Sequence, residues 1–187
     1  MGRSPVVHPG LAGVGPAVLA SAMATFPTIS LRHPRAHDIV DDPIEIAGVG
    51  TGFEGTLQVR VRSHDGTELA TKHFQAGGSG IWGNFFLRLD VPGVPANPQG
   101  TLEVFEFSAD DGSEINKKVR RIVFGRALRN PYMGFAIHEV ASGDTLSKIA
   151  DHWYGDAGEF RTIFQANRHL LEDPDVIVPG QLLRIPQ

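Results

Sequence analysis

The segment from His138 to Ala150 constrains the fold of this chain more than any other segment. It opens with a short strand pattern, and Gly143 then favours a tight turn because glycine adopts positive φ freely. Asp144 follows where its carboxylate can accept the free N–H groups of a first helical turn. Four apolar residues then recur on one helical face: Leu146, Ile149, Ala150 and Trp153. The segment therefore predicts a strand, a turn and a helix capped by Asp144.

The residues that follow predict a second helix and a closing strand. Gly155 can end the first helix, since a left-handed residue commonly follows a helix C-terminus. We expect the second helix over about residues 159–168, with its inner stripe at Phe160, Ile163 and Phe164. Asn167 continues this stripe, so its amide should bond backbone groups of a neighbouring loop. Residues 182–186 then predict the closing strand.

This order of strand, helix, helix and strand resembles the βααβ arrangement of LysM domains, which are small carbohydrate-binding modules. Three motifs carry the resemblance, in the right order and at the right spacing. They are Val140-x-Ser142-Gly143-Asp144-Thr145-Leu146, Ile163-x-x-x-Asn167 and Pro179-Gly180-Gln181-x-Leu183-x-Ile185-Pro186. The last quarter of the chain is therefore expected to be a LysM domain.

The resemblance implies recognition of N-acetylglucosamine-containing polymers, meaning peptidoglycan and chitin-like glycans. In LysM domains the sugar lies in a shallow groove between the first-strand–first-helix loop and the second-helix–second-strand loop. Carried over by motif position, one wall consists of Ser142, Gly143, Asp144, Thr145 and Leu146. The other wall consists of Asp175, Val176, Ile177, Val178, Pro179 and Gly180. Backbone groups of both loops can pair with the N-acetyl amide, and Leu146, Ile177 and Val178 can cover its methyl group.

Residues 27–125 show a different pattern, with short alternating segments separated by turns. Apolar residues alternate with polar ones over residues 57–62, and His64-Asp65-Gly66 predicts a turn. Phe85, Leu87 and Leu89 would share one face of a later strand. This pattern predicts an antiparallel β-sandwich. The predicted fold class is an all-β immunoglobulin-like sandwich followed by a small α+β (βααβ) domain.

A second resemblance concerns this sandwich. Residues 42–48, 52–59 and 102–106 are similar to the immunoglobulin-like domain of bacterial spore-germination and sporulation proteins. That family has no established catalytic chemistry, so the resemblance implies a structural or adhesive module in a bacterium.

The predicted domain organisation has four parts. Residues 1–26 form a flexible N-terminal arm, 27–125 the sandwich, 126–136 a linker and 137–187 the LysM domain. The arm is mildly apolar, and a cleaved signal peptide is the alternative interpretation. No stretch of sequence approaches the roughly 20 apolar residues of a transmembrane helix. An envelope or extracellular location follows if the arm is a signal, and otherwise a cytoplasmic one or a place in an assembly.

Charge narrows the range of partners. The net charge of -4 argues against a nucleic-acid-binding protein. From Ile137 onwards the chain has four Lys/Arg and eight Asp/Glu, whereas the preceding residues carry 13 of each sign. The LysM region should therefore prefer neutral or cationic ligands.

The sequence contains no pattern typical of an enzyme, a cofactor site or a metal site. The eight histidines are scattered, and Pro34 interrupts the four-residue spacing of His33 and His37. No Gly-x-Ser-x-Gly elbow is present. Trp82 is expected to fill the sandwich core or the domain junction rather than to form a sugar platform.

These observations predict a non-enzymatic bacterial protein that binds peptidoglycan-type glycans through its LysM domain. Two alternatives remain open at this level. The chain can be a structural adaptor that binds other proteins in a cell-envelope, sporulation or phage-tail-like assembly. It can also be a cytoplasmic potassium-binding protein, since some LysM proteins bind potassium and the region is acidic.

Overall fold

The computed structural model describes residues 28–78 and 80–187. The predicted flexible arm, residues 1–26, lies outside the described residues. The described chain contains an N-terminal β-rich domain followed by a C-terminal βααβ unit, which confirms the predicted fold class.

The N-terminal domain consists of two sheets. In the first, β3 lies between β1 and β7 and pairs antiparallel with both, while β6 pairs parallel with the end of β3. The second has the order β2-β9-β8-β4-β5. The described strands are β1 (Ile29–His33), β2 (Ile39–Val40), β3 (Ile44–Gly52), β4 (Thr56–Ser63), β5 (Glu68–Gln75), β6 (Gly77–Gly78), β7 (Gly83–Leu89), β8 (Gln99–Phe107) and β9 (Glu114–Phe124).

The two sheets pack face to face through their alternating apolar residues. The inward face of β4 presents Leu57, Val59 and Val61, which are essentially inaccessible to solvent. Phe85, Leu87 and Leu89 of β7 are buried in the same core, as their spacing predicted. Burial of each such side chain contributes about 2 kcal/mol, so this core holds the sandwich together.

The connection between the domains is short and makes contacts on both sides. Strand β9 leads directly into a four-residue helix, α1 (Gly125–Leu128). A Cβ at Gly125 would clash with the Tyr132 ring, so the chain returns closely over this helix. Arg126 forms an ion pair with Asp42 of the sandwich. The Arg129 guanidinium lies 4.5 Å from the centre of the Tyr154 ring in the C-terminal domain.

The C-terminal domain has two helices packed on a two-stranded antiparallel sheet. Its elements are β10 (Phe135–Glu139), α2 (Leu146–Tyr154), α3 (Phe160–Ala166) and β11 (Leu182–Pro186). Its core consists of Val140, Leu146, Ile149, Ala150, Ile163, Leu171, Leu183 and Ile185. Gly155 ends α2 in the left-handed conformation, as predicted. The second helix is shorter than expected, because residues 157–159 form a 3-10 turn and α3 stops at Ala166.

Candidate functional site

The turn between β10 and α2 forms the first part of the candidate site. Thr145 is the N-cap of α2, and its Oγ1 accepts a hydrogen bond from Lys148 N at 3.2 Å. The prediction that Asp144 caps this helix was wrong, because the helix begins one residue later and Thr145 is the residue three positions before Lys148. Asp144 Oδ2 instead accepts from Ala141 N at 2.8 Å, which closes the turn on itself.

Trp153 and His138 form a chain of hydrogen bonds that ends at the carboxylate of Asp144. Trp153 Nε1 donates to His138 Nδ1 at 3.3 Å, and His138 Nε2 lies 3.2 Å from Asp144 Oδ2. Because Nδ1 is the acceptor, the neutral ring carries its proton on Nε2 and donates it to the carboxylate. The Ala141 N–H group and then His138 lower the pKa of Asp144 below its usual value. No local sequence pattern indicates this network, although His138 and Trp153 occupy a strand and a helix that were both predicted.

Backbone hydrogen bonds bring the second loop against the first. Gly180 N donates to Val140 O at 2.8 Å, and Val140 N donates to Gln181 O at 2.9 Å. Val178 N donates to Gln181 Oε1 at 3.1 Å, which fixes the path of the loop. The structure therefore places the two predicted loops side by side at the end of the β10–β11 pair.

The candidate residues differ in how far they reach the surface. Asp144 and Ile177 are half-buried, and Leu146 is only 2% exposed. The others are exposed: Ser142, Gly143, Thr145, Asp175, Val176, Val178, Pro179 and Gly180. Val176 and Val178 stand out because 63% and 58% of their surfaces face solvent.

The burial of Leu146 corrects one part of the sequence interpretation. Its side chain packs in the core of the domain, so it cannot cover the methyl group of a bound sugar. Ile177 also packs against that core. The position of Leu146 in the apolar stripe of α2 favours a place in the core, whereas the motif resemblance places Leu146 in the sugar groove. The apolar surface at the loops is therefore provided mainly by Val176 and Val178.

Trp82 has different surroundings from those that the sequence predicted. Trp82 is 43% exposed, so the prediction that it fills the core or the domain junction was wrong. It precedes β7 on the side of Asn84 and Phe86, both exposed, whereas Phe85 and Leu87 point inward.

Among residues 28–78 and 80–187, no three His, Asp or Glu side chains are close enough to hold a metal ion. No helix in the described part of the chain is long and apolar enough to cross a bilayer.

Comparisons with known proteins agree with both resemblances. Residues 28–113 match the immunoglobulin-like domain of bacterial spore germination (Gmad2), and residues 138–186 match the LysM domain. The chain is similar to the potassium binding protein Kbp of Escherichia coli O6:H1, with 47% identity over 57 residues. That match covers 30% of this chain and 38% of Kbp.

An uncharacterised protein of Deinococcus radiodurans is 49% identical over 53 residues, which are 28% of this chain and 20% of that protein. The chain thus spans well under half the length of these two relatives. The chain therefore combines an immunoglobulin-like domain of the bacterial spore-germination family with a C-terminal LysM domain.

Proposed function

We propose that this chain is a non-enzymatic glycan-binding protein whose LysM domain recognises peptidoglycan or another N-acetylglucosamine polymer. LysM domains in general imply binding of such glycans, and both matched domains are of non-catalytic families. The observation that carries the proposal is the pair of exposed valines, Val176 and Val178, on a loop fastened beside the Ser142–Thr145 turn.

This arrangement fits a neutral acetylated sugar. Exposed valine side chains provide apolar surface for an acetyl methyl group or a sugar face, and removing that surface from water favours binding. The nearby turn is fixed by Thr145, Asp144 and Lys148, whose Nζ donates to Gly143 O at 2.8 Å. A fixed turn loses little conformational entropy when a ligand binds. Because the surface is small and open, we expect weak binding per domain and stronger retention on a polymer through multivalency.

A sedimentation assay with insoluble peptidoglycan or chitin tests the proposal. Val176→Ser and Val178→Ser remove the apolar surface without adding charge. Val119→Ser is a matched control, because Val119 is 47% exposed on β9 of the sandwich. We expect the wild type and the control to sediment and the two loop variants to remain largely in the supernatant. Retention of both loop variants at the wild-type level would contradict the proposed site.

Potassium binding is the second candidate function, and one observation favours it. The relative with 47% identity over 57 residues is named a potassium binding protein. The eight Asp/Glu and four Lys/Arg from Ile137 onwards are compatible with a bound cation. Calorimetric titration with potassium chloride, with sodium chloride as the control, tests this function. A saturable heat for potassium alone would support it, and matching dilution heats for both salts would remove it.

A further inference from the structure

A cleft of about 700 Å³ lies between the two domains, away from the loops described above. The sandwich contributes the ends of β4, β8 and β9, and the LysM domain contributes the residues after α3. Its charged and polar lining includes His37, His64, Thr101, Arg121, Arg168 and His169. Among the residues that the structure describes, none that lines the cleft is an Asp or a Glu.

This basic lining is opposite in sign to the rest of the chain. The net charge is -4, and acidic residues outnumber basic ones two to one from Ile137 onwards. Two of the four basic side chains of that region, Arg168 and Arg184, nevertheless lie at or beside the cleft. A concave surface lined by one sign of charge raises the local concentration of ligands with the opposite sign.

Contacts between the domains fix the walls of the cleft relative to each other. Gln99 Nε2 donates to Gln165 O at 2.9 Å across the junction. Arg184 Nη1 donates to His37 O at 2.6 Å, and the rings of His37 and His169 stack with centroids 5.2 Å apart. A ligand that contacts both walls therefore meets groups that are already in place, which lowers the entropic cost of binding.

Two arginines have donors available for such a ligand. The Arg121 guanidinium has neither a hydrogen bond nor an ion pair within the part of the chain that the structure describes. Arg121 lies opposite Thr101 in the β8–β9 ladder. Arg168 Nη1 donates to the carbonyl oxygens of Leu171 and Glu172, at 3.4 Å and 3.0 Å. A guanidinium has five N–H donors, so the Arg168 head keeps donors for a further acceptor.

Two carboxylates that are sequence neighbours of lining residues, Asp65 and Asp38, are engaged by their own turns. Asp65 accepts from Ser63 Oγ and from Thr67 N, and Asp38 accepts from Arg35 N at 2.7 Å. Neither makes a hydrogen bond to Arg121 or to Arg168. An oxyanion in the cleft therefore does not have to displace a carboxylate from either guanidinium.

We propose that this cleft binds a small, multiply charged oxyanion of the phosphate or carboxylate class. Arg121 of the sandwich and Arg168 of the LysM domain donate hydrogen bonds to it from opposite walls. Charge-assisted hydrogen bonds from a planar guanidinium match the geometry of both classes of anion. Because the ligand joins groups from both domains, its binding also stabilises their relative arrangement.

Calorimetric titration of the full chain tests the proposal. The probes are sodium pyrophosphate and, separately, trisodium citrate, both at one constant ionic strength. We expect one-to-one saturable binding of at least one probe, and the probe that binds assigns the class of anion. Absence of saturable heat with both probes would overturn the proposal.

Variants locate the binding within the molecule. We expect Arg121→Gln and Arg168→Gln each to weaken binding roughly tenfold, as loss of a charge-assisted hydrogen bond predicts. Arg32→Gln and Arg161→Gln are the controls, since both arginines are exposed and neither lines the cleft. Equal weakening by the controls would show a general effect of charge and overturn the site.

A measurement on the wild type tests the location of the site without requiring that any variant folds. Amide NMR shifts during the titration should change at Thr101 and His169, which lie on opposite walls. Shift changes confined to other residues would contradict the assignment. The outcome is separate from glycan binding, because Val176→Ser should leave anion binding unchanged and Arg121→Gln should leave sedimentation with peptidoglycan unchanged.

Discussion

The side-chain amide of Asn167 pairs with the backbone of Arg184 in both directions. Asn167 Oδ1 accepts from Arg184 N at 2.9 Å, and Nδ2 donates to Arg184 O at 2.8 Å. Nδ2 also donates to Ile163 O at 2.7 Å, and the residue is fully buried. One amide thus joins the end of α3 to β11. The sequence predicted bonds from this amide to backbone of a neighbouring loop, and the partners are instead a strand and its own helix.

Loss of this amide should destabilise the LysM domain strongly. Asn167→Ala leaves buried backbone groups of Arg184 without partners, and Asn167→Asp replaces the Nδ2 donor with a carboxylate oxygen that faces two carbonyl oxygens. We expect each to lower the free energy of unfolding by about 3 kcal/mol. Urea unfolding measures the effect, and Asn84→Ala on the exposed face of β7 is the control. A change below that of the control would contradict the role of Asn167.

Substitutions of Thr145 and of Asp144 should differ in their effect on stability, because Thr145 is the N-cap of α2. Thr145→Ala removes the acceptor for Lys148 N and should cost about 1 kcal/mol, whereas Thr145→Ser should cost much less. Asp144→Asn keeps an oxygen for Ala141 N, so we expect a smaller loss of stability than for Thr145→Ala. Thermal unfolding of the three variants measures the order. A larger loss for Asp144→Asn would mean that Asp144 is the true cap.

Acid should weaken the LysM domain at the domain junction. Burial, followed by the charges of Arg184 and His37, lowers the pKa of His169 to about 4. Burial, with Arg121 and Arg184, also lowers the pKa of His37. Arg168 and His64 line the same cleft as this pair, and the charge of Asp38 acts on Arg184. An unfolded histidine titrates near 6.5, so the unfolded chain binds more protons between about pH 6.5 and 4, and stability falls as pH falls through that window.

Fluorescence of one tryptophan measures this pH dependence. The chain has two tryptophans, and Trp82→Phe removes the exposed one in the sandwich, which leaves Trp153 to report on the LysM domain. We expect a lower unfolding midpoint at pH 5 than at pH 7. His169→Asn should reduce this difference, and His73→Asn, exposed on β5 of the sandwich, should not. An equal pH dependence in all variants would contradict the role of His169.

Local sequence patterns predicted many of the helices and strands, because these patterns depend only on residues that are close together in the sequence. The alternation in β4 and β7 and the four-residue repeat in α2 each follow from which face a core must cover. The end of α2 at Gly155 was predictable because glycine readily adopts the left-handed conformation in which many helices end. Such signals require no knowledge of distant residues, and the structure confirmed them.

Features that depend on distant residues were not predictable in the same way. The cap of α2 was assigned one residue too early, because Asp144 and Thr145 are both good N-cap residues and only the tertiary partners of Asp144 distinguish them. The exposure of Trp82 depends on where β7 begins. The basic cleft joins Arg121 to Arg168, which lie far apart in the sequence and come together only when both domains are in place.

In the proposed glycan site, the loop carrying Val176 and Val178 binds an N-acetylglucosamine polymer beside the turn of Ser142 to Thr145. The most direct measurement is sedimentation of the full chain with insoluble peptidoglycan, with Val176→Ser, Val178→Ser and the control Val119→Ser measured in parallel. We expect the wild type and Val119→Ser to enter the pellet and the folded loop variants to stay in solution. A wild-type chain that stays in solution, or loop variants that sediment as it does, would contradict the claim.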